Sequence, residues 1–421
     1  MSSEEKSSAL AGSGAALVPK VRFPEFRDAS AWDTAPGDEL FQQVSNREAP
    51  PGLPILAITQ EHGAIPRHMI DYNVSVTDKS LETYKEVSPG DFIISLRSFQ
   101  GGIEFSDYHG ICSPAYVILR KRGQLSDRFY RQHFKSHAFI QQLNRNLEGL
   151  RDGKMISYKQ FSELQVLKPT LPEQQKIADC LDSADALIAT QGRKVEALRA
   201  HKKGLMQQLF PQEGETQPRL RFPEFEGMGE WVEKSVGDFG QVVTGSTPST
   251  ADPSLYGGGF PFVSPADISE LRYVDETRTT LTAAGFKKTR PIRAGSVLFV
   301  CIGSTIGKIA QNVRECATNQ QINAVIPNVR HSGGFVYFAL SNATDRITLL
   351  AGKQAVPIIN KSLFSSVRLL VPGLPEQQRI ADCLTSLDDL IAAETRKLDT
   401  LKAHKKGLVQ QLFPAIAEFE T

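Results

Sequence analysis

The sequence predicts a mixed α/β chain: two domains of one plan, related by a pseudo-twofold axis and separated by two long helices that pair as an antiparallel coiled coil. Three observations carry this. A 41-residue segment occurs twice at a constant offset of 203, Leu171 to Pro211 and Leu374 to Pro414, with 29 of 41 positions identical. Each copy carries apolar residues alternating by four and three, the seam of a heptad helix. Each is preceded by short β-branched and aromatic runs broken by Gly, Pro and Asp, as expected of small mixed domains.

In chain order, residues 1–18 read as a flexible tail and 19–170 as the first variable domain. It opens on KVRFPEF (Lys20 to Phe26) with Trp32 close behind. Residues 171–211 form the first long helix and 212–217 a linker. The second variable domain, 218–373, opens on RLRFPEF (Arg219 to Phe225) with Trp231 behind it. Residues 374–414 form the second long helix and 415–421 a tail. The two domains keep traces of common descent: GDFIIS (Gly90 to Ser95) matches GSVLFV (Gly295 to Val300), and SPAYVIL (Ser113 to Leu119) sits where NQQINAVI (Asn319 to Ile326) sits.

The repeated segment has no internal proline. Pro172 and Pro375 stand in the first turn, and Pro211 and Pro414 are stops. The seam runs Ile177, Leu181, Ala184, Ile188, Gln191, Val195, Leu198, Lys202, Leu205, Leu209, and again Ile380, Leu384, Leu387, Ile391, Glu394, Leu398, Leu401, Lys405, Leu408, Leu412. At ~1.5 Å per residue each helix is about 60 Å long and needs a partner. Charge selects the orientation. The first helix is acidic from Glu173 to Asp185 and basic from Arg193 to Lys203, and the second repeats this polarity from Glu376 to Glu394 and from Arg396 to Lys406. An antiparallel pair matches opposite charges and suits each helix dipole. It places Lys202 near Asp388 and Asp389, and Lys405 near Asp182 and Asp185. The resulting rod acts as a ruler holding two recognition domains at fixed separation, an arrangement suited to half-sites on duplex DNA.

Composition narrows the rest. With 40% hydrophobic and 23% charged residues, the chain is neither disordered nor fibrous. No apolar run reaches the roughly 18–20 residues that span a bilayer, and the first residues lack a signal-peptide pattern, so the expectation is a cytoplasmic protein with no membrane partner. Five cysteines (Cys112, Cys180, Cys301, Cys316, Cys383) without a CxxC pair encode neither a disulfide framework nor a zinc site. A net charge of +1 is low for a DNA binder, but basic clusters occur locally at Arg120 to Arg122 and at Lys287, Lys288 and Arg290.

Catalytic motifs are missing. GSTIGKIA (Gly303 to Ala310) has three residues between its glycines instead of four, and Ile309 stands where a magnesium-binding Ser or Thr belongs. GSGAAL and the GGGF at Gly257 read as linker and turn. No HExxH, GxSxG or metal-spaced His/Cys cluster occurs. The expectation is a binding protein with no catalytic and no metal residues.

The doubled LPEQQxIADCL...AHKKGLxQQLFP segment, the RFPEF openings and TGSTPSTADPSLYGGGFPFVSPADI (Thr244 to Ile268), GSTIGK and ATNQQINAV (Ala317 to Val325) together resemble the specificity subunits of type I restriction-modification systems. The resemblance covers nearly the whole chain. It implies two target recognition domains, each reading one half of a split double-stranded DNA site. It further implies a coiled coil that docks two methylation subunits, restriction subunits in the full complex, and no cofactor in this chain, with S-adenosylmethionine, ATP and Mg in the partners. The first domain departs from the second, having ITQEHGAIPRHMI (Ile58 to Ile70) and SLRSFQGG (Ser95 to Gly102), which implies two different half-sites and an asymmetric target.

DNA-contact candidates are polar residues able to reach base edges or phosphates from loops. In the second domain they are Thr244, Ser246, Thr247, Ser304, Thr305, Lys308, Asn319, Gln320 and Gln321. In the first they are Arg97, Ser98 and Gln100, with Tyr108 and His109. The loops before the long helices add Lys154, Tyr158, Lys353 and Lys361. For partner docking, apolar residues expected on the outer faces of the coiled coil are Ile188, Leu209 and Phe210 with their equivalents Ile391, Leu412 and Phe413; internal capping is the alternative for Phe210 and Phe413. Two rival readings remain at this level: a self-contained DNA methyltransferase or nuclease, and a coiled-coil scaffold with protein-binding end domains and no DNA role.

Overall fold

The computed structural model describes residues 16–70, 81–145, 156–352 and 356–416. The chain forms two compact units. One contains the residues up to Thr190 together with those from Asp399 onward, and the other spans Gln191–Leu398.

Among the described residues the first unit has ten short strands. β1 (Asp33–Pro36) pairs antiparallel with β10 (Gln165–Lys168), tying the start of the domain to the strand that leads into the first long helix. β2 (Phe41–Val44), β9 (Val117–Lys121), β6 (Phe92–Ile94) and β7 (Glu104–Phe105) form the main antiparallel sheet in the order β2-β9-β6-β7. β3 (Leu56–Thr59) and β4 (Gly63–Pro66) make a hairpin, and β5 (Lys85–Val87) pairs with β8 (Gly110–Cys112). Against the main sheet lies an aromatic core in which Phe41 meets Phe92, Tyr130 and Phe134 at ring-centroid distances of 5.1–5.5 Å. Rings packed edge-on gain beyond simple area burial.

The second unit repeats the plan. β11 (Val232–Ser235) pairs with β20 (Arg368–Val371), and β12 (Gly240–Thr244), β19 (Ile322–Pro327), β16 (Val297–Val300) and β17 (Ile309–Asn312) reproduce the four-stranded order, extended by β14 (Tyr273–Val274) parallel to β17. Three further strands, β13 (Tyr256–Val263), β15 (Thr279–Leu281) and β18 (Ala317–Thr318), form a side sheet; the β3–β4 hairpin, with Ile55 bridging in parallel to Ile111 of β8, is its shorter counterpart in the first unit. Here one expectation is corrected. The GGGF at Gly257 is not a turn but the irregular middle of β13, where Tyr256 and Phe260 both face Leu281 across a bulge. Glycine suits a bulge because Gly257 adopts a φ of 81°.

The two long helices are Leu171–Leu209 and Leu374–Leu412. Every one of the twenty seam residues is buried or half-buried, as the spacing requires. Within the first unit the start of the first helix runs beside the end of the second: Ile177 and Leu181 share a core with Leu412 and Phe413, and Lys405 Nζ lies 2.6 Å from the Asp185 carboxylate. Within the second unit Ile380 and Leu384 share a core with Leu209 and Phe210, and Lys202 Nζ lies 2.5 Å from Asp388 Oδ1. In both units the helices are therefore antiparallel. Of the expected acid partners, Asp182 instead pairs with Arg128.

The repeated motifs now have physical roles. Arg22 of the first RFPEF and Arg221 of the second each grip, with two nitrogens at 2.7–2.8 Å, a buried glutamate in the first turn of the following long helix, Glu173 and Glu376. The next residue in each helix, Gln174 or Gln377, accepts from the backbone N–H of the residue that caps the domain's own helix, Ser126 or Ser332, and donates to the carbonyl of Pro169 or Pro372. LPEQQ and RFPEF are thus two halves of one clamp.

Candidate nucleic-acid interface

Register places the candidate residues of the second domain at one end of its sheet. Thr244 pairs with Asn323 and Val300 with Ile322, so the loops after β12 and β16 and the loop before β19 emerge together. A bridge from Ile302 to Ile358, with the Gly303 N–H donating to Pro357 O, adds the loop that ends at Lys361, an exposed residue at the start of the helix Lys361–Ser366. The approach is close: a Cβ on Gly245 would stand 2.1 Å from Asn319 O, so only glycine fits between these loops.

Most of the polar side chains there hold one another. The Thr244 hydroxyl bonds Asn323 Oδ1 and the Thr247 hydroxyl donates to Gln320 Oε1, both at 2.6 Å. Asn319 Nδ2 donates to Gln321 Oε1, and Gln321 Nε2 donates to Ile302 O. Gln320 and Ser304 are exposed, while Ser246 and Thr305 are half-buried. With its oxygen held by Thr247, Gln320 presents its amide N–H groups outward, the half that can donate to a base acceptor. Lys308 does not fit a free phosphate contact, because its ammonium donates to the carbonyls of Ile268 and Pro265 at 3.0 and 3.3 Å and ties two loops together. A residue outside the candidate set joins them: Arg290, exposed, donates from Nη1 to Thr244 O at 2.7 Å. Its only signal in the sequence is the basic cluster Lys287, Lys288 and Arg290.

The equivalent sheet end of the first domain carries fewer of its candidates. Ile94 pairs with Val117 and Val44 with Ile118, which puts Ser95 to Gly102 in the position of the Gly303 loop. Arg97 and Gln100 are exposed there, and the Arg97 carbonyl accepts from Gln60 in the β3–β4 turn. Ser98 is corrected: it is 1% exposed and its hydroxyl accepts from the Ser95 N–H, so it shapes the loop from inside. Tyr158 is corrected likewise, since it packs half-buried and its hydroxyl donates to Phe41 O. Tyr108 and His109 are exposed, but His109 Nε2 lies 2.7 Å from Glu86 Oε1, and that bond, with a second from Asn46, holds the Glu86 carboxyl below its ordinary range. Lys154 and Lys353 lie outside the described residues.

The docking residues are also corrected. Leu209 and Phe210 are 1% and 4% exposed, and Leu412 and Phe413 are 2% and 4% exposed, all inside domain cores. Phe210 packs on Trp231 and Phe335, and Phe413 on Phe129, because each long helix ends against a domain that needs one more ring to close its core. Ile188 and Ile391 are half-buried in the seam. The outward apolar residues are their neighbours: Leu187 is 59% exposed and its equivalent Leu390 is 42% exposed.

Burial pushes the thiols of Cys112, Cys301 and Cys316 up to about 12, which removes them as nucleophiles at neutral pH. Among the described residues no three His, Cys, Asp or Glu side chains group as a metal site, and no helix is long and apolar enough to cross a membrane.

Comparison with known proteins follows the same lines. A family profile described as the type I restriction modification DNA specificity domain matches residues 228–403. The chain is 26% identical to the specificity subunit of the type I restriction enzyme HindI of Haemophilus influenzae, over 54% of this chain and 47% of that protein. It is 23% identical to the putative type I restriction enzyme MjaX specificity subunit of Methanocaldococcus jannaschii, over 78% and 76%, and 31% identical to the EcoR124I/EcoR124II specificity subunit of Escherichia coli, over 41% and 44%. The match thus spans about half the length of the first and third of these relatives. In fold, the chain is similar to the crystal structure of a type I restriction-modification S subunit from M. genitalium, with a TM-score of 0.58 at 16% identity, covering 95% of this chain and 100% of that one. It is also similar to a chain from a study of complex assembly in the type I system, with a TM-score of 0.52 at 17% identity, covering 95% and 97%.

Proposed function

We propose, for a chain that belongs to the specificity subunits of type I restriction-modification systems, that each of its two domains reads one half of a bipartite, asymmetric double-stranded DNA site. One observation carries the reading. The two domains share a sheet order and a clamp, yet the same end of that sheet bears different loops, Ser95 to Gly102 in one and Gly303 to Lys308 in the other. Common scaffold with divergent tips is what two different base sequences require. Gln320, Thr247 and Ser304 on one side, and Arg97 and Gln100 on the other, are the side chains positioned to read them.

The coiled coil serves as spacer and as docking platform for two methylation subunits, with the exposed Leu187 and Leu390 as equivalent anchor points. Restriction subunits complete the assembly. The chain itself is non-catalytic: S-adenosylmethionine, ATP and Mg belong to the partner subunits. Family membership favours this over a scaffold with no DNA role.

The test is methylation mapping of the host genome by long-read sequencing with the gene intact and deleted. Loss of a single bipartite methyladenine motif on deletion is the expected result. Persistence of every motif in a strain that expresses the chain with its methylation subunits overturns the reading.

A further inference from the structure

Resting on the DNA-recognition reading, we infer that Lys287 and Arg290 form a phosphate-contacting strip on the second domain, separate from the side chains that read bases. Three observations converge. The segment leading from Lys287 to Arg290 runs into Ile292, which bridges to Cys316 at the head of the strand that delivers Asn319 to Gln321, so the strip borders the sheet end described above. Arg290 is anchored there by its bond to Thr244 O, which uses one guanidinium nitrogen and leaves the other donors facing solvent. Lys287 closes the helix Ala283–Lys287, whose Phe286 is stacked on Phe260 at 4.3 Å, so its base is fixed while its ammonium is exposed.

Charge bookkeeping separates these two cations from their neighbours. Lys308 is spent on two backbone carbonyls, Arg314 is bonded to Asp275, and Lys288 lies 4.0 Å from Asp252. Among the described residues no carboxylate lies within ion-pair distance of Lys287 or Arg290. Two uncompensated cations at the rim of a polar reading surface, in a chain whose net charge is only +1, are suited to the polyanionic backbone rather than to any one base. Phosphate contacts fix the register of a domain on the duplex and let few base contacts decide the sequence.

The experiment compares the wild-type chain with a Lys287→Ala, Arg290→Gln double variant, each assembled with its methylation subunits. Gln at 290 keeps a donor for Thr244 O, and a thermal melt checks that the variant is folded. Binding to a cognate duplex and to an unrelated duplex of the same length is measured by fluorescence anisotropy across a range of KCl. Expected is a similar fold-loss of affinity on both duplexes and a log–log salt slope shallower by about 2, one per cation removed. An unchanged slope overturns the inference, and so does a loss confined to the cognate duplex, which would make these residues base readers. If the wild-type assembly itself shows no salt-sensitive binding, the DNA reading falls and takes this inference with it; wild-type binding with an indifferent variant sinks the inference alone.

Discussion

Arg221 and Glu376, 155 residues apart, form a two-pronged ion pair in which the side chains keep only 10% and 3% of their exposure. Arg22 and Glu173 repeat it in the other unit at 7% and 1%. The glutamate sits in the first turn of a long helix, where the dipole favours an anion, and the remaining guanidinium N–H groups donate to carbonyls of the opening loop: Ala29 and Ser30 in one unit, Met228 and Gly229 in the other. One side chain thereby fixes the start of a domain, its loop and its helix.

Arg221→Ala leaves Glu376 buried without its partner and is expected to cost about 3–5 kcal/mol. Arg221→Lys keeps the charge but cannot make the forked contact and should recover only part of that loss. Urea denaturation followed by tryptophan fluorescence is the measurement, since Trp231 donates to the same carboxylate. A loss below about 1 kcal/mol for the alanine variant, the range of an exposed pair, would show that the clamp is ornamental.

The seam lysines are a second test of orientation. Lys202 with Asp388 and Lys405 with Asp185 are equivalent pairs, one in each unit, and their side chains are 16–45% exposed. Lys202→Asp sets two acids against each other and should destabilise the second unit by about 1–3 kcal/mol. Adding Asp388→Lys should restore most of it, because only the order of the charges has changed. A thermal melt of the two single variants and the double variant reads the coupling. Additive losses would mean that the contact does not hold the helices in register.

His133 gives a pH dependence. The imidazole is 2% exposed, neither ring nitrogen has a hydrogen-bond partner among the described residues, and it lies against Phe139 and Phe413 at 5.0 and 5.5 Å. Desolvation pushes its pKa down to about 3. In the unfolded chain it titrates near 6.5. The unfolded state therefore binds the extra proton between those values, so this contribution to stability is whole above about pH 6.5 and is lost as pH falls, by up to about 1.4 kcal/mol per pH unit. His133→Phe should flatten that slope relative to wild type between pH 7.5 and 5. Parallel slopes in chemical denaturation at the two ends of that range would exclude His133 as the source.

The long helices were legible because a heptad needs only spacing, and the antiparallel pairing because charge polarity is a property of the string. The shared strands after Gly90 and Gly295 were legible for the same reason: local runs speak for themselves. What the sequence hid was who satisfies whom. Ser98 looked like a reader beside Arg97, yet it turns inward to its own loop, and Lys308 looked like a phosphate ligand, yet two carbonyls 40 and 43 residues away in the chain claim it. Leu209 and Phe210 looked like surface because a helix alone offers nothing to cover them; the covering residues, Trp231 and Phe335, come from a domain whose packing no periodicity announces. Arg290 was visible as charge, but its place beside Thr244 depends on a β-bridge between segments more than twenty residues apart.

Partner docking has a sharp test in the exposed leucines. Leu187→Asp and Leu390→Asp place a charge on an outer face without touching the seam, so each variant should keep its thermal stability within about 0.5 kcal/mol. Each should lose one methylation subunit, and the double variant both. Native mass spectrometry of the co-expressed complex reads the stoichiometry directly. Retention of two methylation subunits by the double variant would move the docking surface elsewhere.

Base reading is tested most cleanly by comparing the two domains within one molecule. Gln320 is exposed with its Oε1 held by Thr247, and Arg97 projects from a different loop at the equivalent sheet end of the other domain. A side chain that pairs with a base edge is worth about 1–3 kcal/mol of discrimination. Gln320→Ala should therefore relax one half of the methylated motif by roughly 5- to 150-fold and leave the other half as strict as before, while Arg97→Ala should do the reverse. Methylation mapping of strains carrying each variant shows both halves in one experiment. Relaxation of the same half by both substitutions would contradict the assignment of one half-site to each domain. Undiminished selectivity in either variant would remove that residue from the reading surface.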